Sequence, residues 1–220
     1  MPSLTVENYV KTIFQICAEA DEQPAATGRL AAALGVSPGT VTSMLKTLSE
    51  SNLATYTPYE GVRLTPAGNA LALRVVRRHR IIELFLVRTL DLTWDEVHEE
   101  AENMEHAVSE RLIDRIDAFL GHPDADPHGD PIPRRDGSID SADTIVLEDC
   151  RPGQQFRLVR VLDQSPDFLR FLSSAGLTPG TSGTLLSRQV EAGILTLDVH
   201  GRHTALARDA AVKLLVELTA

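Results

Sequence analysis

The sequence predicts a mainly α-helical chain with a small β domain at its C-terminal end. Three observations carry this. Apolar residues recur at helical spacing through roughly the first 120 positions. A stretch rich in Pro, Gly and Asp, Gly121–Ser141, then breaks the pattern. Beyond it, short runs of strand-forming residues alternate with turn dipeptides such as Pro152-Gly153 and Pro179-Gly180.

Taken in order, Leu4–Ala18 places Val6, Val10, Ile13, Phe14 and Cys17 on one stripe, so an amphipathic first helix is expected, ended by the polar break Asp21–Pro24. Thr27–Leu34 reads as a short helix closed by Gly35. Ser37-Pro38 opens the next, with Ser as N-cap and Pro at the first helical position. Helix, Gly turn, helix is the outline of a helix-turn-helix. Within its second helix Val41, Leu45 and Leu48 point one way, while Thr40, Ser43 and Thr47 point the other. The outward face is small and hydrogen-bonding, as a groove-reading helix requires. Leu53–Thr57 and Val62–Leu64 flank the turn Pro58–Gly61, giving a hairpin that would be the wing of a winged helix-turn-helix.

Thr65-Pro66 caps a long helix expected to run to about Leu90, and the capping box Thr93-x-x-Glu96 opens another expected to continue unbroken to about Leu120. Ile81, Leu84, Phe85, Val97, Ala101, Met104, Val108, Leu112, Ile116 and Phe119 supply apolar faces, and two such helices bury too little alone, which points to a dimer. After the connector, strands are expected at Thr144–Glu148, Phe156–Leu162, Gly183–Ser187 and Ile194–Val199, with a short helix from Ser165-Pro166 to Gly176. That density of strands fits an SH3-like β-barrel. The division expected is 1–73 for the winged helix-turn-helix DNA-binding domain, 74–141 for the helical metal-binding and dimerisation domain with its connector, and 142–220 for the barrel.

Composition is that of an ordinary soluble globular protein: 43% hydrophobic and 24% charged residues. The formal charge of −10 argues against generic nucleic-acid affinity, though not against a site-specific binder whose charge changes on loading metal. No apolar run approaches the ~20 residues that span a bilayer. No basic start with an apolar middle marks a signal peptide, so a cytoplasmic location is expected. Cys17 and Cys150 have no thiol-pair or zinc-knuckle surroundings and read as packing residues in a reducing compartment.

The chemistry-bearing feature is a set of metal-capable side chains: His79 and Glu83 on the first long helix, then His98, Glu102, Glu105 and His106 on the next. Their spacing projects each group along one helical face. Carboxylates gathered in this way repel unless a cation or bound protons compensate them. Oxygen and imidazole donors without thiolate suit Mn, Fe(II), Co or Zn rather than Cu(I) or an iron–sulfur cluster. The competing reading is a solvated acidic face, since Asp95, Glu96, Glu99, Glu100 and Glu110 lie alongside. His122 and His128 read as hydrogen-bonding turn residues, and Trp94 as a packing residue. For operator contact the candidates are Ser37, Pro38, Thr40, Thr42 and Ser43 in the groove, and Arg29, Lys46 and Arg63 on phosphates. An enzyme is not expected. Paired Glu-x-x-His motifs, His-Glu-x-x-His, a partnered nucleophile and a glycine-rich phosphate loop are all missing from the sequence.

Several ordered motifs then coincide: Thr5–Ile16, LGVSPGTVTSML, RLTPAG at 63–68, the run from Arg77 to Leu86, EEAENMEHAVSE, and GHP with DPHGDPIP at 121–133. Together they resemble the diphtheria-toxin repressor and manganese transport regulator family across essentially the whole chain. The resemblance implies a cytoplasmic homodimer with a C-terminal FeoA-type barrel that binds a divalent cation and then a palindromic double-stranded operator, usually repressing metal-uptake genes. It implies no membrane partner and no small-molecule substrate. It places a primary metal site at Asn8, Glu102, Glu105 and His106, and an ancillary one at His79, Glu83 and His98, with Asp163 of the third domain as a further oxygen ligand.

Iron-responsive members carry Cys where Glu102 stands and Met where Asn8 stands, whereas manganese-type members carry Glu and Asp. Mn(II) is therefore expected first and Fe(II) second, with Zn(II), Co(II) or Cd(II) able to substitute in vitro. Two departures stand out. Asn8 keeps an oxygen donor but removes a negative charge, and Lys11 puts a cation where some manganese-type members offer a carboxylate. The first keeps open the alternative of a metal-independent DNA-binding or scaffolding protein with a degenerate site. The second argues against a two-manganese primary cluster and for one metal in the primary site plus the ancillary one.

Overall fold

The computed structural model describes residues 3–20, 22–140 and 142–219. Asp21, where the polar break was expected to begin, and Ser141, the end of the connector, lie outside the described residues. The chain forms two compact units. The first runs to His79 and includes Glu105–Val108 and Pro133–Ser138; the second comprises Arg80–Met104, Ser109–Ile132 and the chain from Ile139 onward.

In the first unit α1 (Leu4–Glu19) is capped by Ser3, whose side chain accepts from the Val6 amide. α2 (Thr27–Leu34) ends at Gly35, which takes the left-handed φ of 64° that a residue with a Cβ adopts only at a cost. α3 (Pro38–Glu50) starts under the Ser37 cap, as the Ser-Pro dipeptide predicts. Val41, Leu45 and Leu48 are each fully buried, while Thr40, Ser43 and Thr47 are exposed. β1 (Ala54–Thr57) and β2 (Gly61–Leu64) pair antiparallel, Ala54 opposite Leu64 and Thr57 opposite Gly61, and form the expected wing. The core of this unit joins Val10, Ile13, Leu30, Leu45, Leu48 and Val62. The buried face of α1 also carries Glu7 and Lys11, which the apolar stripe alone does not reveal.

α4 (Pro66–Leu90) begins in the first unit and continues into the second. The single helix expected from Thr93 to about Leu120 is instead two, α5 (Val97–Met104) and α6 (Glu110–Phe119). The cause is local. Ser109 caps α6, its side chain accepting from the Leu112 amide, so the chain must leave helical geometry just before it. Glu105, His106 and Ala107 form a turn and do not continue one helical face with His98 and Glu102.

The C-terminal region is a six-stranded antiparallel sheet in the order β3-β8-β4-β5-β6-β7. Its strands are β3 (Ile145–Val146), β4 (Gln155–Val161), β5 (Ser182–Gln189), β6 (Ile194–Val199), β7 (Arg202–Ala207) and β8 (Leu214–Thr219), with α7 (Pro166–Ser174) and α8 (Arg208–Ala211) between them. Phe156, Leu158, Leu172, Leu185, Leu197, Leu214 and Val216 form its core. Four of the strands and α7 were expected; β7, β8 and α8 were not. His200, in the β6–β7 turn, and His203, on β7, are both exposed. Trp94 packs against this core, and its Nε1 donates to Ser173 Oγ at 2.8 Å.

The connector is ordered at 121–132. His122 pairs with Asp117 at 2.8 Å, and the amides of Asp126 and Gly129 donate to Asp130 and Asp126 carbonyls at 3.0 and 3.1 Å. The Val161 amide donates to the His128 carbonyl at 2.9 Å, fixing the loop to β4. Gly129, at φ +85°, lies so near β4 that a Cβ would stand 1.9 Å from the Val159 carbonyl oxygen.

Candidate metal centre

In the first unit, α1 delivers Glu7, Asn8 and Lys11, α4 delivers Arg78 and His79, and the turn after α5 delivers Glu105 and His106. Glu105 is fully buried. Lys11 Nζ donates to both of its oxygens, at 3.0 and 2.8 Å, and lies 3.1 Å from His79 Nδ1, which itself stands 2.7 Å from Glu105 Oε2. Glu7 is held from the other side: Arg78 donates to its Oε1 at 2.9 Å, and His106 Nδ1 meets Oε2 at 2.7 Å. Arg78 also donates to the Glu105 carbonyl at 3.0 Å. Burial pushes the Glu7 carboxyl up, but the hydrogen bonds from His106 and Arg78 outweigh it and hold it below its ordinary range.

The donor set fits a divalent ion. Among the described residues, Asn8 Oδ1 is buried without a hydrogen-bond partner, so its lone pairs are open to a water or an ion. Glu7 engages His106 at Nδ1, favouring the tautomer with its proton there and leaving Nε2 as a donor pair. That Nε2 is buried 3.2 Å from Glu105 Oε1. Glu7 is thus a positioning carboxylate that the sequence reading missed. The available signal was an acid one residue ahead of Asn8 on the packed side of an amphipathic helix.

In the second unit Glu83 is 1% exposed and divides its oxygens: His98 Nδ1 is 3.3 Å from Oε1, and His128 Nδ1 is 3.8 Å from Oε2. His98 Nε2 lies 3.8 Å from Glu102 Oε1, and both side chains are about half exposed. Asp126 and Asp130 are buried nearby. Arg80 sits 3.7 Å from one and 3.4 Å from the other, and Arg160 pairs with Asp130. Burial first, then the charges of Asp130 and Glu83, push the Asp126 carboxyl well above its ordinary range. Asp163 is engaged elsewhere, accepting from Lys213 at 2.7 Å and from the Ser165 amide at 2.9 Å. Its neighbour Gln164 donates to Asp130 at 2.9 Å.

The cap residue Ser37 and, on α3, Pro38, Thr40, Ser43 and Lys46 are exposed, and Thr42 is half-buried. Some of this polarity serves the helix itself: Ser37 Oγ accepts from the Thr40 amide at 3.2 Å, and Thr42 donates to the Pro38 carbonyl at 2.9 Å. Arg29 pairs with Glu19 at 2.8 Å, and Arg63 donates to the Glu22 carbonyl. Both pairings are exposed, so phosphate can compete for them.

Fold and donor set together define a metal-responsive winged helix-turn-helix regulator, and comparison with known proteins gives the family. The model for the iron dependent repressor N-terminal DNA binding domain matches residues 1–62, that for its metal binding and dimerisation domain matches 65–134, and the FeoA domain matches 145–218. The iron-dependent repressor IdeR of Mycobacterium tuberculosis is 30% identical over 193 residues, covering 82% of this chain and 83% of its own. The diphtheria toxin repressor of Corynebacterium efficiens is 29% identical over 225 residues, covering 97% and 95%. A solved manganese-dependent transcriptional repressor in complex with manganese superposes with a TM-score of 0.88 at 38% identity, covering 97% of this chain and 100% of that one. The chain belongs to the iron-dependent repressor family, whose members are dimeric, metal-dependent DNA-binding repressors and not enzymes.

Proposed function

We propose that this protein is a cytoplasmic, dimeric transcriptional regulator that binds a palindromic operator when loaded with Mn(II), with Fe(II) as the second candidate, and represses genes of metal uptake. The observation that carries it is the buried constellation of the first unit: Asn8 Oδ1 without a partner, and His106 held by Glu7 with Nε2 beside Glu105. Asn8, Glu102, Glu105 and His106 would hold the primary ion, and His79, Glu83 and His98 the ancillary one. Asp163 is the proposed ligand from the third domain, in competition with its Lys213 pairing. A bound ion there supplies positive charge and cross-links α1 to the turn carrying Glu105 and His106. This chain's own residues do the rest: Lys11 and Arg78 hold the carboxylates in place, and Glu7 fixes the imidazole. Restricting α1 in this way lowers the ordering cost of presenting α3 to a groove. In a two-fold dimer the paired α3 helices must reach groove segments about 34 Å apart. The donors are oxygen and imidazole, which favours Mn(II) over softer ions.

Ser37, Pro38, Thr40, Thr42 and Ser43 are the proposed groove contacts, with Arg29, Lys46 and Arg63 on phosphates. The metal-independent alternative is disfavoured because it leaves the Asn8 oxygen buried and without a function. A mobility-shift titration decides. Operator binding is expected with Mn(II) or Fe(II) and lost with chelator, and unchanged binding under chelation would eliminate the metal-dependent mechanism. Glu105→Ala should abolish metal-dependent binding and leave the dimer intact. Because that change also strips Lys11 of its partner, His106→Gln is the milder companion, with the same loss expected.

A further inference from the structure

We propose that the outer edge of β7 is a docking site for an extended acidic segment of another protein, which adds a strand to the C-terminal sheet. β7 ends the sheet on one side and pairs only with β6. The backbone shows which of its groups are left over. His200 and Gly201, at φ 52° and 75°, form a two-residue turn with positive φ at both central positions, so Val199 and Arg202 are the hydrogen-bonded pair that closes the hairpin. Inward and outward groups alternate from there. Arg202, Thr204 and Leu206 bond β6, and the Arg208 amide continues the series by donating to the Gly193 carbonyl at 2.8 Å. The amides of His203, Ala205 and Ala207 and the carbonyls of His203 and Ala205 face the other way. Among the described residues they have no hydrogen-bond partner.

Exposed edges are normally blunted by brevity, proline, lysine or a bulge. The opposite edge obeys this rule, since β3 is only two residues long. β7 has six residues and contains neither Pro nor Lys. Register shifts interrupt the β4–β8 and β5–β6 ladders, whereas β6–β7 pairs without a break. Side chains leave the edge open as well: Ala205 and Ala207 are exposed but small, and Leu206 is turned into the core.

Charge selects the occupant. Residues 200–208 hold two Arg, two His and no acid, in a chain whose net charge is −10. Arg208, 62% exposed at the end of the edge, borders a cavity of 110 Å³ that Arg188, Val190 and Ile194 also line. There Arg208 Nε and Arg188 Nη1 share one oxygen of Glu148, at 3.2 and 3.8 Å, so two guanidiniums face one carboxylate. An acidic side chain on the added strand supplies the second counter-charge. A second copy of this chain fits poorly. Pairing the whole edge antiparallel to itself would set Arg202 of each copy opposite Arg208 of the other, and like charges directly opposite destabilise a strand pair.

The inference requires neither metal nor operator. Its test uses the full-length protein and a fluorescein-labelled peptide of alternating Val and Glu, with a peptide of alternating Val and Lys as control. Saturable polarisation is expected with the first and none with the second, together with slower amide exchange at 202–208. Ala205→Pro removes an outward N–H and leaves the bonds to β6 intact, so it should abolish binding, whereas Ala205→Val keeps the N–H and should retain it. If Ala205→Pro fails to fold, Arg208→Gln carries the test, with affinity expected to fall about two- to fivefold for loss of an exposed ion pair. Absence of binding by the Val/Glu peptide, equal binding of both peptides, or binding unchanged in these variants would overturn the proposal. So would a concentration-dependent higher oligomer that Ala205→Pro dissolves, because the edge would then serve a second copy.

Discussion

Lys11 shows how one residue can change what a site does. Its ammonium, 5% exposed, spans both oxygens of a Glu105 that is fully buried, so the protein carries a resident cation against a carboxylate proposed to bind metal. Removing one partner of a buried pair commonly costs about 3–5 kcal/mol, because the other charge is left desolvated. Metal-free Lys11→Met should accordingly lose roughly that much stability in urea unfolding. Mn(II) should raise its melting temperature more than it raises that of the wild type, because the ion then replaces the missing charge. An equal shift in both proteins would refute the competition. Burial, the leading cause, raises both the Cys17 and Cys150 thiols above their ordinary values, so neither is reactive thiolate at neutral pH. Iodoacetamide should label neither cysteine in the native protein and both after guanidinium denaturation. The sequence supplied the candidate ligand types and flagged Lys11 as a cation. It could not reveal that Lys11 salt-bridges Glu105 or that Glu7 orients His106, since those pairings join residues 94 and 99 positions apart.

At the scale of elements, helices with caps were readable and helix interruptions were less so. Thr93-x-x-Glu96 forms only half of the expected capping box: Glu96 accepts from the Thr93 amide at 3.2 Å, but Thr93 Oγ1 donates to the same carboxylate at 2.7 Å and α5 starts only at Val97. Ser109 is an equally ordinary capping residue, but it sits inside a continuous apolar period, and the pattern concealed the break before α6. Ser109→Ala should cost about 1 kcal/mol and preferentially loosen α6, measurable as faster amide exchange there. β8 escaped notice for a related reason: the run from Ala210 to Ala220 is rich in helix formers, and only pairing with β3 and β4 makes Leu214–Thr219 a strand. Gly129 belongs to the same class of contextual residue. Gly129→Ala meets both a positive φ and the Val159 carbonyl, so it should destabilise the second unit by several kcal/mol in thermal unfolding.

For the whole molecule the decisive quantity is charge. A chain at −10 repels a phosphate backbone, so its apo form should bind random DNA weakly, and each bound divalent ion reduces that repulsion. Linkage adds a stability readout: Mn(II) at about 100 times its Kd should stabilise the native state by ~2.7 kcal/mol per independent site, and chelator should reverse it. The fold class was legible because every helix of the reading head has its own local signal. The boundary between the two units was not, because 105–108 and 133–138 join the first unit from distant parts of the chain. Composition would invite a protease, or an engineer choosing where to cut, into the Pro- and Gly-rich stretch before the barrel. Yet the Val161 amide depends on the His128 carbonyl, and Asp130 receives Gln164 and Arg160 from the barrel side. A fragment starting at residue 142 would therefore expose a torn edge, and intact protein should resist limited digestion between 124 and 132 despite its linker-like spelling.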